Sequence, residues 1–199
     1  MKGSLIVVSA PSGAGKTTLC NAIVKDFDRI AFSVSYTTRK PREGEIDGVD
    51  YYFVDEKRFR EMIEKEEFAE WAMVHGNLYG TAKKTLNNLM DRNIDVLLDI
   101  DVQGAKQIKA LYPEAVLVFI MPPSFDELKK RLLKRGAENL DLRLKRAFEE
   151  MREYSFYDYV IINDNLEKAI GDLKSIIISE RLRSKRFDPG FIDRFYPIV

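Results

Sequence analysis

Residues 10–18, Ala-Pro-Ser-Gly-Ala-Gly-Lys-Thr-Thr, constrain this chain more than any other stretch, because of what flanks them. Before them, Leu5-Ile-Val-Val is a continuous apolar run rich in β-branched residues, the pattern of a strand buried on both faces. After them, Leu19, Ala22, Ile23 and Phe27 recur at helical spacing. A glycine-rich loop between a buried strand and a helix lets successive backbone N–H groups turn inward around a phosphate, and the helix N-terminus adds a favourable dipole. The pattern is G-x-x-x-x-G-K-[ST] except at its first position, where Ala10 is tolerable if its φ is below zero. Ser12, Gly13, Ala14, Gly15, Lys16, Thr17 and Thr18 are therefore the expected contacts to the phosphates of a nucleotide. Lys16 should reach the β- and γ-phosphates, and the Thr17 hydroxyl should ligate Mg²⁺.

Buried strands of the same kind recur at 95–100, 115–120 and 159–162, each followed by a helical stretch, at 102–111, 125–135 and 166–185. Alternating strands and helices predict an α/β fold with a mostly parallel sheet flanked by helices. At 199 residues the chain suits one domain with small insertions. Two stretches break the alternation. Residues 33–84 are rich in aromatics, glycine and charge, with strand-like pieces at 51–54 and 70–74, and read as an inserted lobe. Residues 129–152 form a charged helical stretch interrupted at Gly136, a helical hairpin able to close as a lid.

Composition narrows the partners. The 32 basic residues balance 32 acidic ones, so any anion site is local, and neither nucleic acid nor an anionic membrane is expected as the main partner. No apolar run approaches the ~20 residues that cross a bilayer. Cys20 is the only cysteine and His75 the only histidine, which excludes an internal disulfide and a cysteine metal cluster, and suits a cytoplasmic protein. His75 has no second histidine to build a triad or metal site with. Trp71 is expected in the core of the small lobe, 56–67 as an amphipathic helix with a solvated face, and the aromatic cluster near Tyr154 at the start of the last strand.

A phosphate loop does not name the acceptor. In the lobe, Arg39 and Arg42 bracket a turn and could clamp a phosphate bidentately, with the Tyr51 and Tyr79 hydroxyls as neutral donors. Glu70 lies among these groups. A carboxylate accepts two parallel N–H bonds from the N1/N2 edge of guanine, whereas adenine offers an acceptor at N1.

The chain resembles guanylate kinase, a nucleoside monophosphate kinase family, from Leu5 to about Arg183. The motifs that carry the resemblance are Ser-Ala-Pro-Ser-Gly-Ala-Gly-Lys-Thr at 9–17, Ser-Tyr-Thr-Thr-Arg-Lys-Pro-Arg at 35–42, Asp-Tyr-Tyr-Phe at 50–53 and Glu-Trp-Ala at 70–72. Tyr-Gly-Thr at 79–81, Leu-Asp-Ile-Asp-Val-Gln-Gly at 98–104 and Ile-Asn-Asp at 162–164 extend it. The resemblance implies a P-loop kinase core in which a GMP-binding insertion (33–84) and a lid (129–152) belong to a single domain spanning 1–199. It implies Mg²⁺-dependent transfer of the γ-phosphoryl group of ATP to GMP. Ser35, Glu70, Thr81 and Asp101 would read guanine, and Arg39, Arg42, Tyr51 and Tyr79 would hold its phosphate. Arg131, Arg135 and Arg146 would be the lid arginines, with Arg135 also stacking on adenine, and Asn163 would belong to the ATP site. Asp99 is expected near Mg²⁺, directly or through water. Lys16, Arg39, Arg42, Arg131 and Arg146 form the expected catalytic set. The lid tip, 137–143, is less acidic and less rich in Ser and Thr than expected of the family, and Arg143 is an extra basic residue without a role.

ATP and GMP are the expected small-molecule partners of a monomer or small homo-oligomer. Two other readings compete. Kinase-like interaction modules have degraded phosphate loops, whereas Lys16, Thr17 and the lid arginines are all present. A P-loop kinase acting on another acceptor, such as a phosphorylated ribose, would not need Glu70, Ser35 and Thr81.

Overall fold

The computed structural model describes residues 2–74, 76–134, 136, 139–187, 190 and 194; Arg135, His75 and most of the tail after 187 lie outside them. The central strand is β1 (Leu5–Ser9), buried at all five residues. It is flanked in parallel by β7 (Asp95–Asp99) and β8 (Val116–Met121), with Leu5 opposite Val96 and Ile6 opposite Val116. Strands β2 (Ile30–Phe32) and β9 (Tyr159–Ile162) complete a five-stranded parallel sheet in the order β2-β7-β1-β8-β9.

Two-sided burial explains the unbroken apolar runs. Leu5 and Val7 point to one face, where they meet Leu86 and Met90 of α3 (Lys83–Asp91) and Ala105 and Ile108 of α4 (Val102–Leu111). Ile6 and Val8 point to the other, against Leu19 and Ile23 of α1 (Lys16–Asp26) and Leu173 and Ile177 of α7 (Leu166–Arg181). Each such side chain contributes roughly 1.5–3 kcal/mol on burial, so the sheet is the rigid base of the molecule.

Strand order reverses at β1, since β7 lies on one side and β8 on the other. In open α/β sheets the crevice at the carboxyl ends of such strands receives ligands. The loop after β1 and the end of β7 both open into it.

A second sheet, ordered β4-β3-β6-β5, is built from β3 (Tyr36–Thr37), β4 (Tyr52–Phe53), β5 (Phe68–Val74) and β6 (Asn77–Ala82). Its core is Phe59 and Met62 of α2 (Glu56–Glu64) packed on Phe68 and Leu78, with the Phe59 and Phe68 rings stacked at 4.4 Å. Gly80 is required there, because a Cβ would fall 2.9 Å from the Phe68 ring. Asp55 caps α2 by accepting the Arg58 N–H. Helices α5 (Phe125–Lys134) and α6 (Leu140–Arg152) form a hairpin whose seam is Leu128, Leu132, Leu144 and Ala147.

Two expectations are corrected, and one helix is added. Trp71 is 39% exposed rather than core, because the alternation of β5 turns its neighbour Glu70 inward. Helix α3 is not anticipated from sequence. The last helix ends at Arg181, and a 3₁₀ turn at Ser184–Arg186 replaces its expected final turn.

Candidate active site

Residues 10–15 join β1 to α1. Gly13 and Gly15 both have φ of +94°, a left-handed conformation that disfavours side chains, and Gly15 caps α1 so that the first helical N–H groups face the crevice. Ala10 is not among the described residues with positive φ, so its replacement of glycine carries no strain. The loop is held from behind. Asn163, 5% exposed at the end of β9, donates its Nδ2 to Ala14 O at 2.7 Å, and a Cβ at Gly15 would lie 2.5 Å from that nitrogen. The side-chain amide of Asn163 therefore supports the loop itself.

Lys16 Nζ lies 2.6 Å from Asp99 Oδ1 and donates to Ile100 O at 3.0 Å, while Thr17 Oγ1 donates to Asp99 Oδ2 at 3.0 Å. One carboxylate thus gathers the lysine and the hydroxyl at the mouth of the loop. The donor set fits Mg²⁺: a hydroxyl and a carboxylate are hard oxygens, and this ion takes few protein ligands beside phosphates and water. Asp101 differs from Asp99 because its Oδ1 caps α4 by accepting Gly104 N–H at 2.8 Å.

Across the crevice, Arg39 does not stand free as the expected clamp. Its two terminal nitrogens donate to Glu45 at 2.9 and 2.7 Å, and Nη1 also donates to Lys40 O at 2.8 Å. Glu45 further accepts the Arg42 backbone N–H at 2.7 Å. Hydrogen bonds from Arg39, then from Arg42, hold the Glu45 carboxyl down at about 2. The guanidinium lies 5.4 Å from the Tyr51 ring centroid and 5.7 Å from that of Phe53, and Tyr51 meets Tyr79 edge-on at 5.9 Å. Arg39, Tyr51 and Tyr79 therefore converge, whereas the Arg42 side chain is exposed.

Beside them runs a chain of hydroxyls ending on a carboxylate. Thr81 Oγ1 donates to Glu70 Oε1 at 2.5 Å, and Ser35 Oγ lies 3.4 Å from Thr81 Oγ1. Thr81 has spent its proton on Glu70, so Ser35 donates to Thr81. Glu70 is 6% exposed and Thr81 fully buried. A Cβ at Gly104 would sit 2.9 Å from Glu70 Oε2, so glycine there lets the carboxylate approach the start of α4. Burial pushes the Glu70 carboxyl up to about 7, with the Thr81 hydrogen bond opposing and nearby Asp101 adding to the rise.

That shift has a consequence for stability. With the folded pKa above the unfolded one, the protein loses stability as pH rises from about 4.5 to about 7, and the loss persists above it. A shift of this size is on the order of 3 kcal/mol. Glu70→Gln should therefore gain stability relative to the parent between pH 5 and pH 8, by about 1–3 kcal/mol in denaturant melts. A difference independent of pH would show that burial does not raise the Glu70 pKa.

The α5–α6 hairpin borders the loop. Arg131 donates to Glu127 at 3.0 Å and to Asn163 O at 3.2 Å, Arg146 is exposed on α6, and Arg143 Nη2 donates to Ser12 Oγ at 2.9 Å. A cavity of about 530 Å³ opens between Gly13, Gly15, Thr18, Arg131, Asn163 and Leu166. A larger one, about 610 Å³, lies at the amino ends of the strands, away from this chemistry, and its rim charges are already paired, Lys185 with Glu114 and Arg183 with Glu180.

Two contributors escape the sequence reading. Glu45 is one: spacing alone does not separate it from Glu43, and only the fold of the turn brings it onto Arg39. Gln107 is the other: its amide accepts Trp71 N–H and donates to Trp71 O, both at 3.1 Å, tethering β5 to α4 and so placing Glu70. Nothing in its helical position advertises this.

A family model described as "Guanylate kinase" matches residues 2–180. Guanylate kinase of Geobacter metallireducens is 49% identical over 197 residues, covering 98% of this chain and 97% of that protein. Guanylate kinase of Carboxydothermus hydrogenoformans is 50% identical over 188 residues, covering 93% and 92%. Among solved structures, guanylate kinase from Anaplasma phagocytophilum superposes with a TM-score of 0.77 at 35% identity, over 100% of this chain and 97% of its own. With a parallel five-stranded sheet, an intact phosphate loop and relatives matched along nearly their whole length, the chain belongs to the guanylate kinase family.

Proposed function

We propose that the protein transfers the γ-phosphoryl group of ATP to GMP, giving ADP and GDP, with the crevice between the two sheets as the site of transfer. The observation that carries the choice of acceptor is the buried Ser35–Thr81–Glu70 chain, which ends on a carboxylate beside the Arg39 cluster.

Ser12 to Thr18 would bind the ATP phosphates through backbone N–H groups, with Lys16 exchanging Asp99 for the β- and γ-phosphates. Thr17 and Asp99 would hold Mg²⁺, which when bound neutralises phosphate charge. Arg39, Arg42, Tyr51 and Tyr79 hold the acceptor phosphate, and Ser35, Glu70, Thr81 and Asp101 read guanine. Residues 33–84 then act as the GMP-binding part and 129–152 as the lid of one domain. Arg131 and Arg146 supply charge from the lid, and Arg135 stacks on adenine. Asn163 serves the ATP site by supporting the loop. The acceptor phosphate has a second pKa near 6, so at pH 7 it is already a competent nucleophile and no general base is needed. Catalysis is then positioning and charge neutralisation.

A cytoplasmic enzyme of small molecules, acting as a monomer or small homo-oligomer, fits this reading. Among the described residues no helix is long and apolar enough to cross a membrane, and burial pushes the Cys20 thiol up to about 12, leaving it inert.

Glu45 fixes the Arg39 guanidinium beside Tyr51. Glu45→Gln should raise the KM for GMP about fivefold or more, with the KM for ATP within about twofold, since the loss falls on one charge-assisted pair. An unchanged GMP KM would remove Glu45 from the acceptor site. The proposal as a whole is tested by steady-state turnover with ATP and a panel of nucleoside monophosphates. GMP should be preferred over AMP by about 10³-fold or more in kcat/KM; comparable rates with AMP would contradict it.

A further inference from the structure

We infer that Arg143 is a positioning residue for the donor nucleotide: through Ser12 it docks the α5–α6 hairpin on the phosphate loop before ATP arrives. The inference rests on the phosphate-loop reading of residues 12–18. Two adjacent loop residues each meet one helix of the hairpin. A Cβ at Gly13 would lie 3.1 Å from Leu132 and 3.2 Å from Leu128 of α5, and Ser12 Oγ accepts the Arg143 guanidinium of α6 at 2.9 Å.

Glu150 faces the same loop. It lies two helical turns beyond Arg143, hence on the same face of α6, where its surroundings include Asp101, Lys16 and Arg146. Between them Leu144 and Ala147 seal the hairpin seam. Ser12 is thus held through its hydroxyl by α6, and Arg146, three residues beyond Arg143 on the same helix, is carried toward the loop with it.

Docking in this way leaves the donor side open, because the cavity of about 530 Å³ beside Gly13, Gly15 and Thr18 persists with the hairpin in place. The latch therefore favours capture of ATP. Once bound, the phosphates themselves hold the lid arginines, so the latch adds little to transfer. An exposed hydrogen bond shifts such an equilibrium only several-fold.

Kinetics on the full chain for Arg143→Gln, Ser12→Ala, the double variant and Arg143→Lys test this. Arg143→Gln should raise the KM for ATP about threefold to tenfold, with kcat and the KM for GMP within about twofold, and Ser12→Ala should raise the KM for ATP at least as much. The double variant should be no worse than the worse single, because one contact has been removed twice. Arg143→Lys should recover most of the loss, and melting temperatures should match the parent, since both residues lie at the surface. An ATP KM unchanged in Arg143→Gln, effects that multiply in the double variant, or a fall in kcat would overturn the latch. Failure of the parent to turn over ATP and GMP would instead strike the proposed function, so the two failures are distinguishable.

Discussion

Lys16→Ala should lower kcat by about 10³-fold or more while leaving the fold intact. Removing one preorganised charge from a site where negative charge develops costs about 10²–10³ in rate, and Lys16 is the loop's only cation, acting on the group that moves. The fold should survive because Lys16 is partly exposed and its partner Asp99 keeps the Thr17 hydroxyl. The stability change should stay within about 1 kcal/mol, as for other solvent-accessible pairs. Turnover within tenfold of the parent, in a protein with an unchanged melt, would show that the loop does not carry the chemistry.

Glu70→Ala should lower kcat/KM for GMP by at least about tenfold and by far less for AMP, with the KM for ATP nearly unmoved. A bidentate carboxylate contact to a base is worth roughly 1–3 kcal/mol of discrimination, and unpaired groups facing the wrong base enlarge the ratio. Arg39→Ala should weaken every monophosphate alike, since a guanidinium beside Tyr51 and Tyr79 sees phosphate and no base. The two variants together separate base reading from phosphate holding. If Glu70→Ala kept the parent's preference for GMP over AMP, recognition would pass to Ser35, Thr81 and Asp101.

A site carboxylate that is buried and pushed up to about 7 is costly in the empty protein, and the cost has a purpose. Two N–H donors from guanine would replace the water that Glu70 has lost, so the bound base restores what burial took away. The empty site is preorganised at the expense of stability, the usual exchange at functional positions.

The parallel core was legible because strands buried on both faces cannot alternate polar and apolar residues, which is how β1, β7 and β8 announce themselves. The phosphate loop was legible because glycines at positions of positive φ cannot be replaced cheaply, and Gly13 and Gly15 occupy two of them. What sequence could not show depends on contacts across the fold. Arg39 reads as a free clamp until the turn brings Glu45 onto both of its terminal nitrogens; Glu43, two residues nearer in sequence, makes no such pair. Trp71 leaves its expected core place because one residue of register from the inward-facing Glu70 sends its side chain to the other face. Helix α3 is only nine residues long, and its two buried positions, Leu86 and Met90, are too few to establish a period. Arg143 has no meaning in sequence, since its partner Ser12 is 131 residues away.

The most direct test of the account is to follow the phosphorus. With γ-labelled ATP and GMP at neutral pH, the label should appear in the β-phosphate of GDP, one equivalent for each ADP formed. Release of the label as inorganic phosphate, or its failure to reach GDP while ATP is consumed, would contradict phosphoryl transfer to a guanine nucleotide held by Glu70 and Arg39.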